Sequence, residues 1–287
     1  MSFHLRVYDN FHYSDESEAD DIGHFETYEE ALVEAKAIVD KFLASNWKSG
    51  ITPEKLFAQY DDFGDDPSII PDDPKEQNSN QHFSARKYAI SRVGTICEEF
   101  EKTKIEIQAL YQKAINFATE KHVLMDQNVP GTILPYVVHL SNVAMEILTA
   151  ASETPSLNTS FAVQVALLHD TLEDTSATFE ELQNNFGIEI ANAVSALSKN
   201  LDLPKDQQMQ DSLNRIKTLP FEVWAVKLAD RITNLQPPPS HWTNEKKYAY
   251  KQEAQQILNE LHQANDYLAK RLEQKINEYD NYINNQL

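Results

Sequence analysis

Two histidines and two aspartates at the ends of apolar segments offer the most specific chemistry in this 287-residue sequence. His139 follows Pro135-Tyr136-Val137-Val138, His169 and Asp170 follow the apolar run 163–168, and Asp230 follows 226–229. Two imidazoles and two carboxylates form a mixed nitrogen and oxygen ligand set, which suits a catalytic divalent transition metal. A charge left unpaired beside apolar helices is costly, and one metal ion would satisfy all four groups.

Each of these residues also has an ordinary explanation. His139 alone would be read as a hydrogen-bonded core histidine, and an adjacent His-Asp pair occurs by chance in many proteins. Asp230, next to Arg231, would form a plain ion pair. Their joint presence in this order favours a functional site over four separate structural roles.

Two further acids follow the His-Asp pair at helical spacing. Glu173 lies four residues after His169, and Asp174 lies four after Asp170, so each pair shares a helix face about 5–6 Å apart. At that distance a carboxylate orients or deprotonates a water molecule without binding the metal itself. Two acids packed together also raise one pKa, as general acid-base catalysis requires. The alternative is a helix end that exposes acids to solvent.

Asn234 stands four residues after Asp230, so its amide would face the cleft beside the metal. There it would contact a sugar hydroxyl or a phosphate oxygen of a substrate. The competing interpretation is a helix C-cap ahead of the three prolines at 237–239.

Helices must position these residues, because helical periodicity dominates the chain from Phe83 onward. Gly187 predicts a C-cap or a break between two helices. The polar segment 245–287 predicts a long amphipathic helix, and no persistent heptad supports a coiled coil. Ser84 begins the first predicted helix, and the others lie around 104–121, 137–151, 160–174, 178–185, 187–199, 221–235 and 244–284.

The first 80 residues differ in character, with 19 Asp and Glu against 6 Lys and Arg. Alternating apolar residues over 3–8 predict a strand, Thr27 predicts a capping box, and Pro53 predicts a second helix start. The acidic run 15–21 is typical of a solvated loop, with a hard-cation site as the alternative. The linker-like run 71–80 then divides a small acidic α+β accessory module, 1–80, from a helical domain, 81–287.

Composition excludes several functions. The net charge of −20 argues against a general affinity for nucleic-acid phosphates. The single cysteine, Cys97, makes neither an intramolecular disulfide nor a zinc-cysteine cluster. Neither a secretory signal nor an apolar stretch of about 18 residues is visible, so we expect a soluble cytoplasmic protein with no membrane partner. Self-association is left open.

The chemistry-bearing residues resemble the HD-domain metal phosphohydrolases, and more narrowly the hydrolase domain of the RelA/SpoT family and its small stand-alone relatives. The similarity spans about 105–284 and is most specific in HDTLEDT and KLADRITN, with FATEKH and PYVVHLSNVA in support. It implies an all-helical bundle that removes the 3′-pyrophosphate from guanosine tetra- or pentaphosphate, usually with manganese. By the same resemblance, the metal ligands would be His139, His169, Asp170 and Asp230.

The resemblance also assigns the remaining site residues. Glu173 and Asp174 would handle the nucleophilic water, and Tyr136 and Asn234 would line the nucleotide site. Lys121 and Arg231 are candidate contacts for the substrate phosphates.

Two departures from the family pattern affect the predicted substrate. The family carries a Gly-Gln and then an Arg-Lys pair that contacts the guanine and its phosphates, whereas here Gln127 is followed by Asn128 and Val129. Thr233 replaces a histidine usual before the asparagine. One alternative is therefore hydrolysis of another nucleotide with a 2′- or 3′-phosphate. A second is a non-catalytic nucleotide sensor, which would not need Glu173 and Asp174.

Overall fold

The computed structural model describes residues 2–10, 19–73, 82–154 and 156–284. The chain divides into two compact units, Met1–Ile105 and Glu106–Leu287. The described residues are mainly helical, and their only sheet lies in the first unit, which confirms the predicted fold class. The division falls inside the long helix α3, Ala85–Leu124, while the predicted boundary near residue 80 lies outside the described residues.

The first unit contains a three-stranded antiparallel sheet of order β2-β1-β3. Phe3, Leu5 and Val7 are buried, and the residues between them are more exposed, so the predicted strand periodicity is confirmed. Neither β2 nor β3 was predicted, because acids and prolines break the apolar alternation in them. Residues 15–18 of the acidic run lie outside the described residues. The strands are β1 (Phe3–Asp9), β2 (Asp20–Phe25) and β3 (Asp65–Pro71).

Two helices, α1 (Tyr28–Asn46) and α2 (Pro53–Phe63), complete this unit together with the start of α3. Thr27 and Glu30 form the predicted capping box at the start of α1. Ser84 accepts a hydrogen bond from the backbone N–H of Lys87, as its predicted capping role requires. Buried side chains from all three helices, among them Leu43, Leu56 and Ala89, form one apolar cluster.

The second unit is a helical bundle. Its helices after α3 are α4 (Val137–Glu153), α5 (Thr159–Leu168), α6 (Thr171–Asp174), α7 (Phe179–Phe186), α8 (Ile188–Leu197), α9 (Lys205–Ile216), α10 (Phe221–Asn234), α11 (Asn244–Leu261) and α12 (Asp266–Asn284). Helix α10 packs against α4, α5, α8, α11 and α12. Gly187 separates α7 from α8 with a φ of 90°, which confirms the predicted break. No helix among the described residues is both long and apolar enough to cross a membrane.

Three features of the bundle differ from the sequence prediction. The predicted helix 160–174 breaks at His169 and Asp170, so both side chains lie at a corner. Helix α9 was not predicted, because its sequence is mostly polar. The predicted helix 244–284 is two helices, because Asn265 accepts a hydrogen bond from the N–H of Leu268 and starts a new one.

Candidate metal centre

Three elements bring the four predicted ligand residues together. Helix α4 carries His139, the corner between α5 and α6 carries His169 and Asp170, and α10 carries Asp230. His169 Nε2 lies 2.9 Å from Asp170 Oδ2 and 3.6 Å from Asp230 Oδ1. His139 Nε2 lies 3.4 Å from His169 Nε2, 3.4 Å from Asp230 Oδ1 and 3.7 Å from Asp170 Oδ2.

These separations, from 2.9 to 3.7 Å, are close to those expected of ligands that share one metal ion. Donors bound at about 2.1 Å with tetrahedral or octahedral angles lie roughly 3.0–3.4 Å from one another. The ligand atoms of His139, His169 and Asp230 are also all buried, so water does not satisfy them. The spacing of the four side chains and the burial of three of them therefore fit a metal site.

The ring of His169 is oriented so that a nitrogen lone pair faces the cluster. Its Nδ1 lies 2.7 Å from the backbone carbonyl oxygen of Ala166, which can only accept a hydrogen bond. Nδ1 must therefore carry the proton, and in the neutral ring Nε2 is left as the ligand atom. Such a partner for the second nitrogen is the usual support of a metal-binding histidine.

His139 is oriented in the same sense by Thr233, the residue that departs from the family pattern. The Thr233 hydroxyl donates to the carbonyl of Asp230 at 2.9 Å, so its oxygen is free to accept from His139 Nδ1 at 3.3 Å. Nε2 of His139 then presents its lone pair to the cluster. The sequence showed the substitution at 233 but gave no indication of this role.

Both oxygens of Asp230 are held in place. Asn234 Nδ2 donates to Oδ1 at 2.5 Å, and Lys227 Nζ lies 3.3 Å from Oδ2. The amide of Asn234 therefore holds a candidate ligand, a contact that the sequence prediction of a cleft-facing amide did not include. Lys227 lies three residues before Asp230, and this spacing was the available signal for the ion pair.

Asp170 is oriented by Tyr136, whose hydroxyl donates to Oδ2 at 2.5 Å. Burial, followed by the charge of Asp170, raises the pKa of Tyr136 well above its usual range, so the phenol keeps its proton. The Tyr136 ring stacks on His122, with centroids 4.6 Å apart.

The two carboxylates of the cluster favour positive charge beside them. Burial alone would lower the pKa of His169, but Asp170 and Asp230 outweigh burial and raise it well above its usual value. Burial alone would raise the pKa of Asp230, yet Lys227 and the two histidines hold it well below its usual range. Two ionised carboxylates in a buried site therefore attract positive charge, and a divalent cation fits that demand.

The two acids after the His-Asp pair differ in their surroundings. Lys199 engages both oxygens of Glu173, with its Nζ 2.6 Å from Oε1 and its backbone N 2.9 Å from Oε2. Burial, with the nearby Asp170 and Glu173, raises the pKa of Asp174 to about 6. This pKa suits Asp174 to the exchange of a proton near neutral pH.

The structure places the two predicted phosphate contacts in ion pairs. Lys121 Nζ lies 2.7 Å from Glu181 Oε1. Arg231 is buried, with its guanidinium 4.3 Å from the centroid of Tyr250 and 3.4 Å from Glu253. Neither cation contacts the four ligand residues among the described contacts.

His122 and Gln127 form a hydrogen-bonded pair next to Tyr136 and Asp174, a contact that the sequence did not reveal. His122 Nδ1 hydrogen-bonds Gln127 Oε1, and Gln127 Nε2 donates to the carbonyl of Asp174 at 2.7 Å. Burial lowers the pKa of His122, so the ring is neutral. The residue pair connects the end of α3 to the corner that carries the acids.

Comparison with known proteins shows what this chain is similar to. The HD domain family matches residues 114–266. The chain is 33% identical over 171 residues to a Danio rerio protein and 30% identical over 165 residues to a Homo sapiens protein, both named guanosine-3′,5′-bis(diphosphate) 3′-pyrophosphohydrolase MESH1. These alignments cover 58% and 56% of this chain and 92% and 89% of the relatives.

A solved structure is also similar, with a TM-score of 0.51 and 26% sequence identity. It is described as a metazoan ortholog of SpoT that hydrolyzes ppGpp and plays a role in starvation responses. The similarity covers 59% of this chain and 95% of that one. The residues that match the HD domain family, 114–266, include the helices that carry the four candidate ligand residues.

Proposed function

Because the chain belongs to the HD domain family, we propose that it is a metal-dependent hydrolase that removes the 3′-pyrophosphate of guanosine-3′,5′-bis(diphosphate). The observation that carries the proposal is the convergence of the four ligand side chains beside Asp174. The names of the most similar relatives support the substrate.

We propose Mn²⁺ as the ion, held by His139, His169, Asp170 and Asp230. The donor set of two nitrogens and two oxygens also accepts iron, nickel or zinc, so the assignment to manganese is to be tested. When bound, such an ion polarises a phosphoryl oxygen and makes hydroxide available near neutral pH.

The protein side chains handle the proton and the negative charge of the substrate. Asp174, with its pKa near 6, accepts a proton from the attacking water and returns it to the leaving group. Glu173 holds Lys199 at the same corner, and this pair steadies the short helix α6. Lys227 keeps Asp230 ionised and adds positive charge where phosphates would bind.

The nucleotide would lie against Tyr136 and Asn234, whose polar groups hold Asp170 and Asp230. For Lys121 or Arg231 to contact a phosphate, their ion pairs with acidic side chains would first have to open. A nucleotide substrate also supports our prediction that the protein works in the cytoplasm.

The test is pyrophosphate release from guanosine tetraphosphate in the presence of Mn²⁺. We expect turnover by the wild type and its loss in Asp170→Ala, because removing Asp170 removes one ligand. Asp202→Ala, which removes an exposed loop carboxylate, is the matched control and should keep full activity. Turnover that survives in Asp170→Ala would contradict the proposed centre.

One observation favours a different nucleotide as the substrate. The turn from Gln127 to Tyr136 is closed by a hydrogen bond from Val129 N–H to the Leu134 carbonyl at 2.9 Å, and it contains neither Lys nor Arg. The cations that bind the guanine nucleotide in the family are therefore missing from it. A panel of nucleotides with 2′- or 3′-phosphates would show whether one of them is preferred.

The panel also tests the sensor alternative. Nucleotide binding without turnover, unchanged in Glu173→Gln/Asp174→Asn, would indicate a sensor. Turnover that the double variant abolishes would eliminate it. Light scattering of the purified chain would show whether it self-associates.

A further inference from the structure

A second cluster of ligand-type side chains lies on the sheet of the first unit, outside the HD domain match. The ligand atoms of His4, His24 and Asp72 all lie within 4.8 Å of one another. Nδ1 of His24 is 3.3 Å from both carboxylate oxygens of Asp72. Nε2 of His4 is 2.5 Å from Oδ1 of Asp21, and the two imidazole centroids are 4.3 Å apart.

The pairing of the strands places these side chains on one face. His4 on β1 lies directly opposite His24 on β2. Asp72 follows β3, and its N–H donates to the carbonyl of Ser2. Ser2 and His4 are two residues apart and share a face, so Asp72 lies on the same face as His4. The opposite face of β1 is buried, so the cluster faces solvent.

A β-bulge brings Asp21 to the same face. Leu5 pairs with Gly23 and Arg6 pairs with Asp21, so Ile22 is the extra residue of β2. In a regular strand Asp21 and His24, three residues apart, would point to opposite faces of the sheet. The extra residue of the bulge puts both side chains on the same face. Gly23 has a φ of 135°, which a residue with a side chain rarely adopts.

We propose that His4, His24 and Asp72, with Asp21 beside them, form a second cation site that binds a borderline divalent transition metal, with Zn²⁺ as the probe. Imidazole and carboxylate donors are the ligands such ions prefer. Two carboxylates would neutralise a doubly charged ion. The bound ion would link β2, β1 and the end of β3, and would stabilise the first unit by preferring its folded form.

The competing explanation is two His-Asp ion pairs without a metal. Exposed ion pairs contribute little to stability, and nothing in their formation requires two pairs to converge. His24 is 62% exposed and Asp21 is 59% exposed, so a metal would reach the site without opening the fold.

The test is calorimetric Zn²⁺ titration of the full chain after treatment with a chelator. We expect His24→Gln to bind one equivalent of Zn²⁺ fewer than the wild type. Any Zn²⁺ bound by the buried centre of the second unit is the same in both proteins and does not affect this difference. His241→Gln removes an exposed histidine elsewhere, and Asp20→Asn removes an exposed acid beside the cluster, so both should bind as the wild type does. His4→Gln should repeat the loss seen in His24→Gln.

Two results would overturn the proposal. One is a stoichiometry in His24→Gln equal to that of the wild type. The other is an equal loss in His241→Gln or Asp20→Asn, which would indicate diffuse binding to an acidic surface. Because the cluster lies in the first unit, hydrolysis with Mn²⁺ should be unchanged in His24→Gln, so failure here leaves the proposed function untouched.

Discussion

Replacing Thr233 with valine tests how the candidate centre orients its ligands. Valine keeps the shape of the side chain and removes the oxygen that accepts a hydrogen bond from His139 Nδ1. The ring of His139 then loses the contact that favours the Nδ1–H tautomer, and part of its population presents a proton to the metal instead of a lone pair. We expect Thr233→Val to bind Mn²⁺ more weakly than the wild type.

The magnitude follows from the geometry. Loss of such a supporting partner costs about 10- to 100-fold in metal affinity, or roughly 1.4–2.7 kcal/mol. The His139 to Thr233 contact is long, at 3.3 Å, so we expect the lower end, about tenfold. The lost hydrogen bond to the Asp230 carbonyl should cost no more than about 1 kcal/mol of folding stability.

Calorimetric titration with Mn²⁺ measures the effect directly. Thr149→Val is the matched control, because Thr149 also donates to a carbonyl of its own helix, at 2.9 Å, but lies away from the ligands. A folded Thr233→Val protein with wild-type Mn²⁺ affinity would refute the argument about the tautomer. An equal loss of Mn²⁺ affinity in Thr149→Val would mean that the effect comes from a weakened helix and not from the tautomer of His139.

The remaining predictions concern the acids and the core. Asp174→Asn should abolish turnover and, without metal, raise the melting temperature more at about pH 8 than at about pH 5. The reason is that the pKa of Asp174 is raised from 3.8 to about 6, so the free-energy cost of ionising it in the folded state grows across that range and is complete only above about pH 6. Lys199→Met should lower turnover less than Asp174→Asn does, because it frees Glu173 without removing the proton acceptor; equal losses in assays of both variants would contradict this. Leu213→Ala, in the unpredicted helix α9, should cost about 2–5 kcal/mol in denaturant unfolding, while the exposed Leu201→Ala should cost under about 0.5 kcal/mol.

Local patterns in the sequence account for the elements that were predicted. The capping box at Thr27, the helix break at Gly187 and the strand at 3–8 each depend on residues within a few positions of one another. The four candidate ligand residues and the acids Glu173 and Asp174 were predicted for a similar reason, since their spacing on short helical segments is visible in the sequence. Similarity to the HD domain family then supported their grouping.

Other features depend on residues far apart in the chain. Strands β2 and β3 have little apolar alternation of their own and are defined by pairing with β1. The break at Asn265 coincides with a hydrogen bond to Thr154, which is 111 positions away in the sequence. No local pattern carries such information.

The sequence alone therefore determined the residue types for a metal centre, the helical class and the acidic character of the first unit. The tertiary structure decided what each side chain does there. It turned Asn234 and Tyr136 toward the candidate ligand carboxylates, paired Glu173 with Lys199, and brought His4 and His24 together across two strands. The physical reason is that hydrogen bonds and pKa values depend on distances of a few ångströms, which only the packing of distant segments sets.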